Sequence, residues 1–411
     1  MKIVVLNDLH PSQQAGAAGI ALQNAQLLAS QNEVEYWCTK STNFKIEEVS
    51  EFSLRFFRQG RLKKWAQQKS RLMKVYFEFL DFRLSASCIF LAIRHKPDIV
   101  WIHQVGNGFP KSISLVFHML RIPTVQTLHD YSLLVPGKLF PAHFGWDNSE
   151  VDSRIVELEN GALQVPMLRA SKNLSSIALR FRFKVLRKLL NQNSVNVVVG
   201  PQQEKIFNLF GLEKTRFLPN IAEACSCSGS GEKISSHNLR VLFAGRPAGK
   251  GLGRICHLIA NTDNAHLDLA GNSELLNYLP NDFPSSKFTY LGKIPHSKLL
   301  PLLHNYNYVS VLSDCFDVYP SILIEALAHS SRVLCTSTVG NHQLITSEKY
   351  GYRISYDVQS VDISIDFIIK EKTYLPFGAS LSEDVMTIES YRAELLSIVA
   401  RVYESARKDL R

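Results

Sequence analysis

Short apolar runs of strand length recur along this chain, and most are followed by a loop and then by apolar residues at helical spacing. That alternation leaves few folds open. A strand that crosses over through a helix to reach its neighbour lies parallel to it, with both faces buried. In the first half the strands read as Lys2 to Leu6, Val34 to Cys38, Asp98 to His103, Thr124 to Leu128, Val195 to Val199 and Arg216 to Leu218. In the second half they read as Arg240 to Ala244, Leu267 to Ala270, Phe288 to Leu291, Tyr308 to Leu312 and Arg332 to Cys335. Between the halves, Ile221 to Asn238 is rich in Ser, Gly and small residues and reads as a connector. A last helix, Ile388 to Arg407, repeats Tyr391, Leu395, Val399 and Val402 on one face. With 411 residues, the chain is long enough for two α/β domains of about 200 residues each. The expected division is residues 1–220, residues 221–387 and a terminal helical segment, 388–411.

Three strand-to-helix loops carry residues suited to a phosphorylated ligand. After the strand at Arg240 comes Gly245-Arg246-Pro247-Ala248-Gly249-Lys250-Gly251, where glycines let backbone N–H groups approach an anion and Arg246 and Lys250 add charge. After Tyr308 to Leu312 comes Asp317, then Pro320, which pre-sets a first helical turn; the helix-start amides near Ser321 and Ile322 follow. Ile322, Leu323, Ala326 and Leu327 form the apolar face of that helix and place Glu325 about one turn inside it. After Arg332 to Cys335 comes Thr338-Val339-Gly340-Asn341. Loops at the carboxyl ends of successive strands form the ligand crevice of a doubly wound sheet. In the first half, Gly16 opens a helix start, and His129 with Asp130 follows the strand Thr124 to Leu128. Taken singly these have plainer readings. The loop at Gly16 lacks the third glycine of the dinucleotide fingerprint, and a strand-end histidine is commonly satisfied by a backbone carbonyl.

Taken in order, these motifs resemble the retaining glycosyltransferases of family 4. The resemblance rests on Asp317-x7-Glu325, on Ala326-Leu327-Ala328, on the basic glycine loop and on Leu128-His129-Asp130-Tyr131, with Ala15-Gly16-Ala17-Ala18-Gly19 in the place of the family's first glycine loop. It implies a GT-B fold: α/β, two Rossmann-like doubly wound domains facing a central cleft. It also implies transfer of a sugar, with retention, from a nucleotide diphosphate sugar bound as substrate; no other cofactor and no metal are expected. Glu325 would accept from the ribose hydroxyls, Arg246 and Lys250 with the amides at Ser321 would hold the diphosphate, and Gly16 would lie beneath the phosphates. Asp317, Gly340 and Asn341 would contact the sugar or its phosphate, and His129 the donor sugar. The chain departs from the family pattern in three places: Asp317 stands for the usual glutamate, Ser330 and Arg332 stand for the usual glycine and proline, and the basic loop is one residue shorter than common.

Charge distribution adds a second theme. Arg55 to Lys74 holds eight cations and no acid, and Arg169 to Lys188 holds seven more, again with no acid; without them the chain would carry 31 basic and 37 acidic side chains. Cations interleaved with Phe56, Phe57, Leu62 and Trp65 read as helical segments leaning on an anionic membrane surface, with Arg61, Lys63, Lys64, Trp65 and Lys69 in contact. The competing readings are a nucleic acid, for which no motif is present, and an ordinary solvated face. The seven cysteines include no C-x-x-C pair and indicate a reducing compartment. Cys225, Cys227 and His237 admit a metal site, the plainer reading being the connector. Met1 to Leu6 reads as a strand rather than a signal peptide. With the resemblance, the expectation is a cytoplasmic enzyme, peripheral on the inner face of the membrane, that uses a nucleotide-sugar donor and a saccharide or lipid-linked saccharide acceptor in surface polysaccharide assembly, with no nucleic acid partner. A nucleotide-sugar epimerase and a catalytically silent nucleotide-binding subunit are the alternatives.

Overall fold

A computed structural model describes residues 1–10, 16–39, 52–57, 79–106, 108–135, 137–164, 168–169, 176–222, 239–329, 331–357 and 386–409. Cys225, Cys227, His237 and Ser330 lie outside them, as do Arg61, Lys63, Lys64, Trp65 and Lys69.

Thirteen described strands make two sheets. The first contains β1 (Lys2–Asn7), β2 (Glu33–Thr39), β3 (Ser53–Phe57), β4 (Ile99–Ile102), β5 (Thr124–Leu128), β6 (Val195–Val198) and β7 (Thr215–Phe217), in the order β3-β2-β1-β4-β5-β6-β7. The second contains β8 (Leu239–Ala244), β9 (Ala265–Ala270), β10 (Phe288–Gly292), β11 (Tyr308–Val311), β12 (Arg332–Thr336) and β13 (Gly351–Ile354), in the order β10-β9-β8-β11-β12-β13. Neighbours in both sheets are parallel. Each sheet starts at its centre, runs to one edge, then reverses, so a switch point falls between β1 and β4 and another between β8 and β11. The central strands are apolar throughout because helices cover both of their faces: every residue of Ile99–Ile102 and of Tyr308–Val311 is buried.

Two strands go beyond the sequence reading, and one of them corrects it. The cationic stretch read as helical from Arg55 begins inside β3, where Arg55 Nε lies 3.2 Å from Glu35 Oε2 on β2. Its first cation therefore pairs within the sheet. The second, β13, is four residues long with an exposed Arg353 at its third position, which hides the apolar signal.

The two sheets share a core. Leu128, Tyr131, Phe144 and Ile206 of the first half pack in one cluster with Leu242, Phe316, Val318 and Leu323 of the second. The segment between β11 and the helix Ser321–Ala328 lies in this seam. Phe316 N donates to Leu139 O at 2.8 Å, and its ring meets those of Phe144, Trp146 and Tyr131 edge-on. Gly200 and Gly340 come so close to Val318 that a Cβ at either would lie 2.3 and 2.0 Å from its carbonyl oxygen, inside contact distance. The helix Val151–Glu159 adds polar docking. One oxygen of Asp152 accepts from Ser337 Oγ, and the other from Ser355 Oγ at 2.8 Å and Tyr356 N at 2.9 Å. The helix Ile388–Asp409 returns to the first sheet, where Tyr391 Oη donates to Asn24 Oδ1 at 2.7 Å and Leu395 and Val399 are fully buried.

Because Asp152 satisfies three groups of the other half, Asp152→Ala should lower stability by ~2 kcal/mol, the scale for losing hydrogen bonds to a charged acceptor. Asp152→Asn, which keeps an acceptor, should lose less. Urea unfolding followed by tryptophan fluorescence reads this, and an unchanged midpoint in Asp152→Ala would show that the contacts do not hold the halves together.

Candidate active site

The loops flanking the second switch point converge. Lys250, at the end of the basic loop after β8, donates to Asp317 Oδ2 in the loop after β11, and Ser313 Oγ donates to the same oxygen at 3.2 Å. The loop after β12 fixes Asp317 from behind: Asp317 N donates to Thr338 O at 3.0 Å, and Gly340 N donates to Asp317 O at 2.7 Å. Lys250, Asp317, Gly340 and Asn341 are therefore brought together. The glycine at 340 answers to the packing against Val318 described above.

A third cation joins from the first half, and the sequence reading missed it. Lys138 Nζ donates to Ala248 O inside the basic loop. Burial pushes its pKa below the usual lysine value, and the neighbouring Lys250 and Arg246 charges add to that against the pull of Cys315 and Asp317. Arg246 itself is exposed. Lys138 sits in a long loop with no motif, so only the folded chain reveals its place.

Two residues with polar atoms that lack protein partners belong to the same neighbourhood, one next to Gly340 in the chain and one within electrostatic reach of Asp317. Asn341 is 2% exposed, and neither its Oδ1 nor its Nδ2 has a partner. The Tyr131 hydroxyl is also buried and unpaired, and burial, with the Asp317 carboxylate nearby, pushes its phenol well above the ordinary range. Buried polar atoms left unpaired cost about 1–3 kcal/mol each, so such a group marks a place where a ligand or water completes the bonding.

Glu325 lies on the helix Ser321–Ala328, which starts at Ser321 just after Pro320. Its Oε1 is 3.0 Å from His296 Nε2. His329, one turn on, is buried with Nε2 unpaired; burial depresses its pKa, with Glu325 opposing. Arg332 begins β12, at the opposite end of that strand from the ligand-bearing loops, and its guanidinium reaches Tyr308 Oη at 3.4 Å. Its departure from the family pattern therefore does not touch this site.

Gly16 and His129 stand on the first sheet, beyond the carboxyl ends of β1 and β5. Gly16 adopts φ 59° and ψ −134°, a conformation that side chains oppose, and the space where a Cβ would project is open. His129 Nε2 lies 3.0 Å from His103 Nδ1 at the end of β4, with the two rings stacked. His129 keeps part of its surface accessible, yet burial pushes its pKa down to about 4, and His103 falls well below the usual range through burial and the His129 charge. Both rings are therefore neutral at pH 7, one donating to the other. Among the described residues, no group of three or more His, Cys, Asp or Glu side chains could hold a metal ion.

Solved structures share this architecture. Sucrose-phosphate synthase from Thermosynechococcus elongatus is similar over 98% of this chain and 99% of its own, with a TM-score of 0.68 at 15% identity. Anabaena HepE, solved in complex with UDP and glucose, is similar over 100% and 99%, with a TM-score of 0.57 at 16% identity. The chain has the GT-B fold. The trehalose-6-phosphate structure from E. coli bound with UDP-2-fluoro glucose is a further GT-B likeness, at 14% identity and a TM-score of 0.57 over 100% of this chain and 99% of that one. No family model and no curated protein matches the sequence.

The neutral histidine pair gives a pH signature. Unfolded, His129 titrates near 6.5; folded, near 4. Between those values the unfolded chain binds more protons, so the stabilisation is complete above pH 6.5 and is lost as pH falls toward 4. His10, His143 and His342 are also depressed by burial and act with the same sign. The His103→Asn, His129→Asn variant should accordingly lose less thermal stability than the parent between pH 7 and pH 4. Parallel melting curves would remove the pair from the account.

Proposed function

We propose that this protein is a retaining glycosyltransferase of the family-4 type. It transfers a sugar from a nucleotide diphosphate sugar to a saccharide, lipid-linked or membrane-associated, in surface polysaccharide assembly at the inner face of the cytoplasmic membrane. The observation that carries the reading is the Lys250–Asp317 pair across the second switch point, flanked by Lys138 and Arg246 and by the unpaired Asn341 and Tyr131. Cations held at the carboxyl ends of the strands suit a diphosphate, and they stabilise it further as it departs with the bonding electrons of the anomeric carbon–oxygen bond. That role needs no divalent metal. Glu325 suits the ribose, since its two carboxylate oxygens match two hydroxyls. Asn341 and Asp317 suit the sugar hydroxyls, and neutral His129 can either donate to or accept from the same sugar. Retention rests on the family resemblance. HepE was solved with UDP and with UDP-glucose, which makes UDP-sugars the first donors to test.

Membrane association draws on the cationic sequence around Trp65. Among the described residues, no helix is long and apolar enough to cross a bilayer.

Nucleoside diphosphate titrations followed by thermal shift test the donor site, with UDP, GDP, ADP and dTDP compared. Lys138→Ala and Lys250→Ala should each weaken affinity about tenfold, or about 1.4 kcal/mol. Glu325→Gln should also weaken it through the ribose. Asp317→Asn releases Lys250, so affinity for the free nucleotide should hold or rise while transfer falls. Parental affinity in both Lys138→Ala and Lys250→Ala would remove the diphosphate site, and nucleotide binding without turnover of any sugar donor would favour the silent binding subunit.

A further inference from the structure

The helices Phe82–His95, Ile113–Met119 and Ser176–Leu190 lie in a row over one face of the first sheet. Their inner sides pack on that face: Leu84, Cys88, Ile113 and Phe117 cluster with Val100 and Ile102, and Leu179 and Leu186 cluster with Leu128 and Val198. Their outer sides are unusual in two ways that reinforce each other.

The first is exposed apolar surface. Phe82 is 70% exposed, Met119 72%, Ile177 80% and Phe181 69%, and Phe90 and Ile93 are also open. Eight of the fifteen large hydrophobic side chains that stand exposed among the described residues belong to these helices or to Leu80 just before them. Scattered apolar residues on a surface are ordinary, whereas a gathered patch marks an interaction surface.

The second is charge. The three helices contain seven Lys and Arg and no Asp or Glu. Arg182 points inward, donating to Leu133 O at 2.9 Å and Ser132 O at 2.6 Å, and Arg187 reaches Phe210 O at 3.3 Å. The other five, Arg83, Arg94, Arg180, Lys184 and Lys188, are exposed beside the apolar residues. On the helix Ser176–Leu190 the spacing sets Ile177, Phe181, Lys184 and Lys188 along one stripe. A groove of about 600 Å³ extends the surface to the sheet edge, where Phe56 and Phe57 of β3 face Leu84, Phe90 and Leu91, with Arg83 among the lining residues.

We propose that this three-helix face is the surface on which the protein lies against an anionic lipid bilayer. Exposed Phe, Ile and Met side chains would enter the headgroup boundary while Lys and Arg meet lipid phosphates, the division of labour of an interfacial helix. The absence of acids selects a uniformly anionic partner, and the gathered apolar side chains select lipid over the backbone of a nucleic acid. Bonds just before the first two helices and from the middle of the third fix the orientation. Ser112 Oγ bonds to Phe79 O, and Lys111 and Arg182 both hold Ser132 O in the loop after His129, so the face adjoins the first-sheet loops that border the cleft. An acceptor carried in the membrane would then reach the site without leaving the bilayer. The proposal rests on the membrane reading above and assigns it to these three helices, which lie outside the sequence segment around Trp65.

Three variants of the full-length protein separate the possibilities by sedimentation with vesicles of phosphatidylglycerol and phosphatidylcholine. The first carries Phe82→Ser, Ile177→Ser and Phe181→Ser; the second Arg83→Glu, Lys184→Glu and Lys188→Glu; the third Lys63→Glu, Lys64→Glu and Lys69→Glu. The parent should bind anionic vesicles, and less so as salt rises or as phosphatidylcholine replaces phosphatidylglycerol. The first two variants should bind about tenfold more weakly or less, with UDP thermal shifts unchanged to show that fold and donor site are intact. If both bind vesicles like the parent, the face is not the docking surface; loss in the third alone would then leave the membrane reading standing on its own segment. A parent that ignores vesicles overturns both, and one that prefers an RNA oligonucleotide at matched salt turns the face into a nucleic-acid surface. In none of these cases is the donor-site reading affected, because UDP binding is measured separately.

Discussion

The arrangement depends on one stretch of backbone, Ser313 to Pro320, threaded between the two sheets. Its carbonyl at Val318 is approached by Gly200 from one half and Gly340 from the other, at distances that no Cβ could tolerate. Phe316 bonds to the backbone of Leu139 and fills a pocket of aromatic rings from the first half, while Asn220 Nδ2 reaches Tyr319 O at 3.4 Å. A polar loop at a strand end is ordinarily a surface feature. Here it serves as the joint between domains, and Asp317, the acid at its centre, inherits that rigidity. A side chain whose backbone is fixed on both sides loses little freedom on meeting a ligand, which is the condition for a preorganised site.

The charge at the joint is unbalanced by construction. Lys138, Arg246 and Lys250 gather around Asp317, and the depressed Lys138 pKa registers both burial and the crowding of like charges. Partly buried cations that repel one another are costly unless an anion completes the set. The Lys250–Asp317 pair offsets part of that cost and keeps Lys250 in place. A diphosphate would compete for Lys250 and leave Asp317 available to sugar hydroxyls, so the two proposed roles would be sequential uses of one ion pair. Neutral Asn341 and Tyr131, with unpaired polar atoms, would then supply bonding without adding charge.

The sequence shows much of the fold because buried parallel strands are continuous apolar runs, and the glycine and proline between them mark where each run ends. Strands such as Thr124–Leu128 and Tyr308–Val311 are legible for that reason. The edge strands β3 and β13 are not, since a strand with a neighbour on one side only tolerates charge, as Arg55 and Arg353 show. Residues of the basic and acidic loops were found through local order: strand, loop, helix. Lys138 and Asp152 escaped because their partners are distant in sequence; the bond from Ser337 to Asp152 spans 185 residues. Pairings of that range follow from the packing of the two halves and leave no periodic trace. The approach of Gly340 to the Val318 carbonyl is likewise a contact that a glycine in the sequence does not announce.

The second cationic segment shows how composition and structure divide the meaning of charge. Counted along the chain, Arg180, Arg182, Lys184, Arg187 and Lys188 form one basic run. In the fold the run has two sides. Arg182 turns in beneath the loop that follows His129, donating to Leu133 O and sharing Ser132 O with Lys111, and stacks near Phe79. Lys184 and Lys188 turn out, beside Ile177 and Phe181. A single helix thus supports a loop at the cleft with one side and offers cations and apolar side chains with the other. Any surface that holds the outer side holds, through Arg182, the backbone next to the cleft. Charge placement and loop geometry are in this way properties of one element: the helix Ser176–Leu190 fixes the loop after His129 with the same turns that carry Lys184 and Lys188 outward.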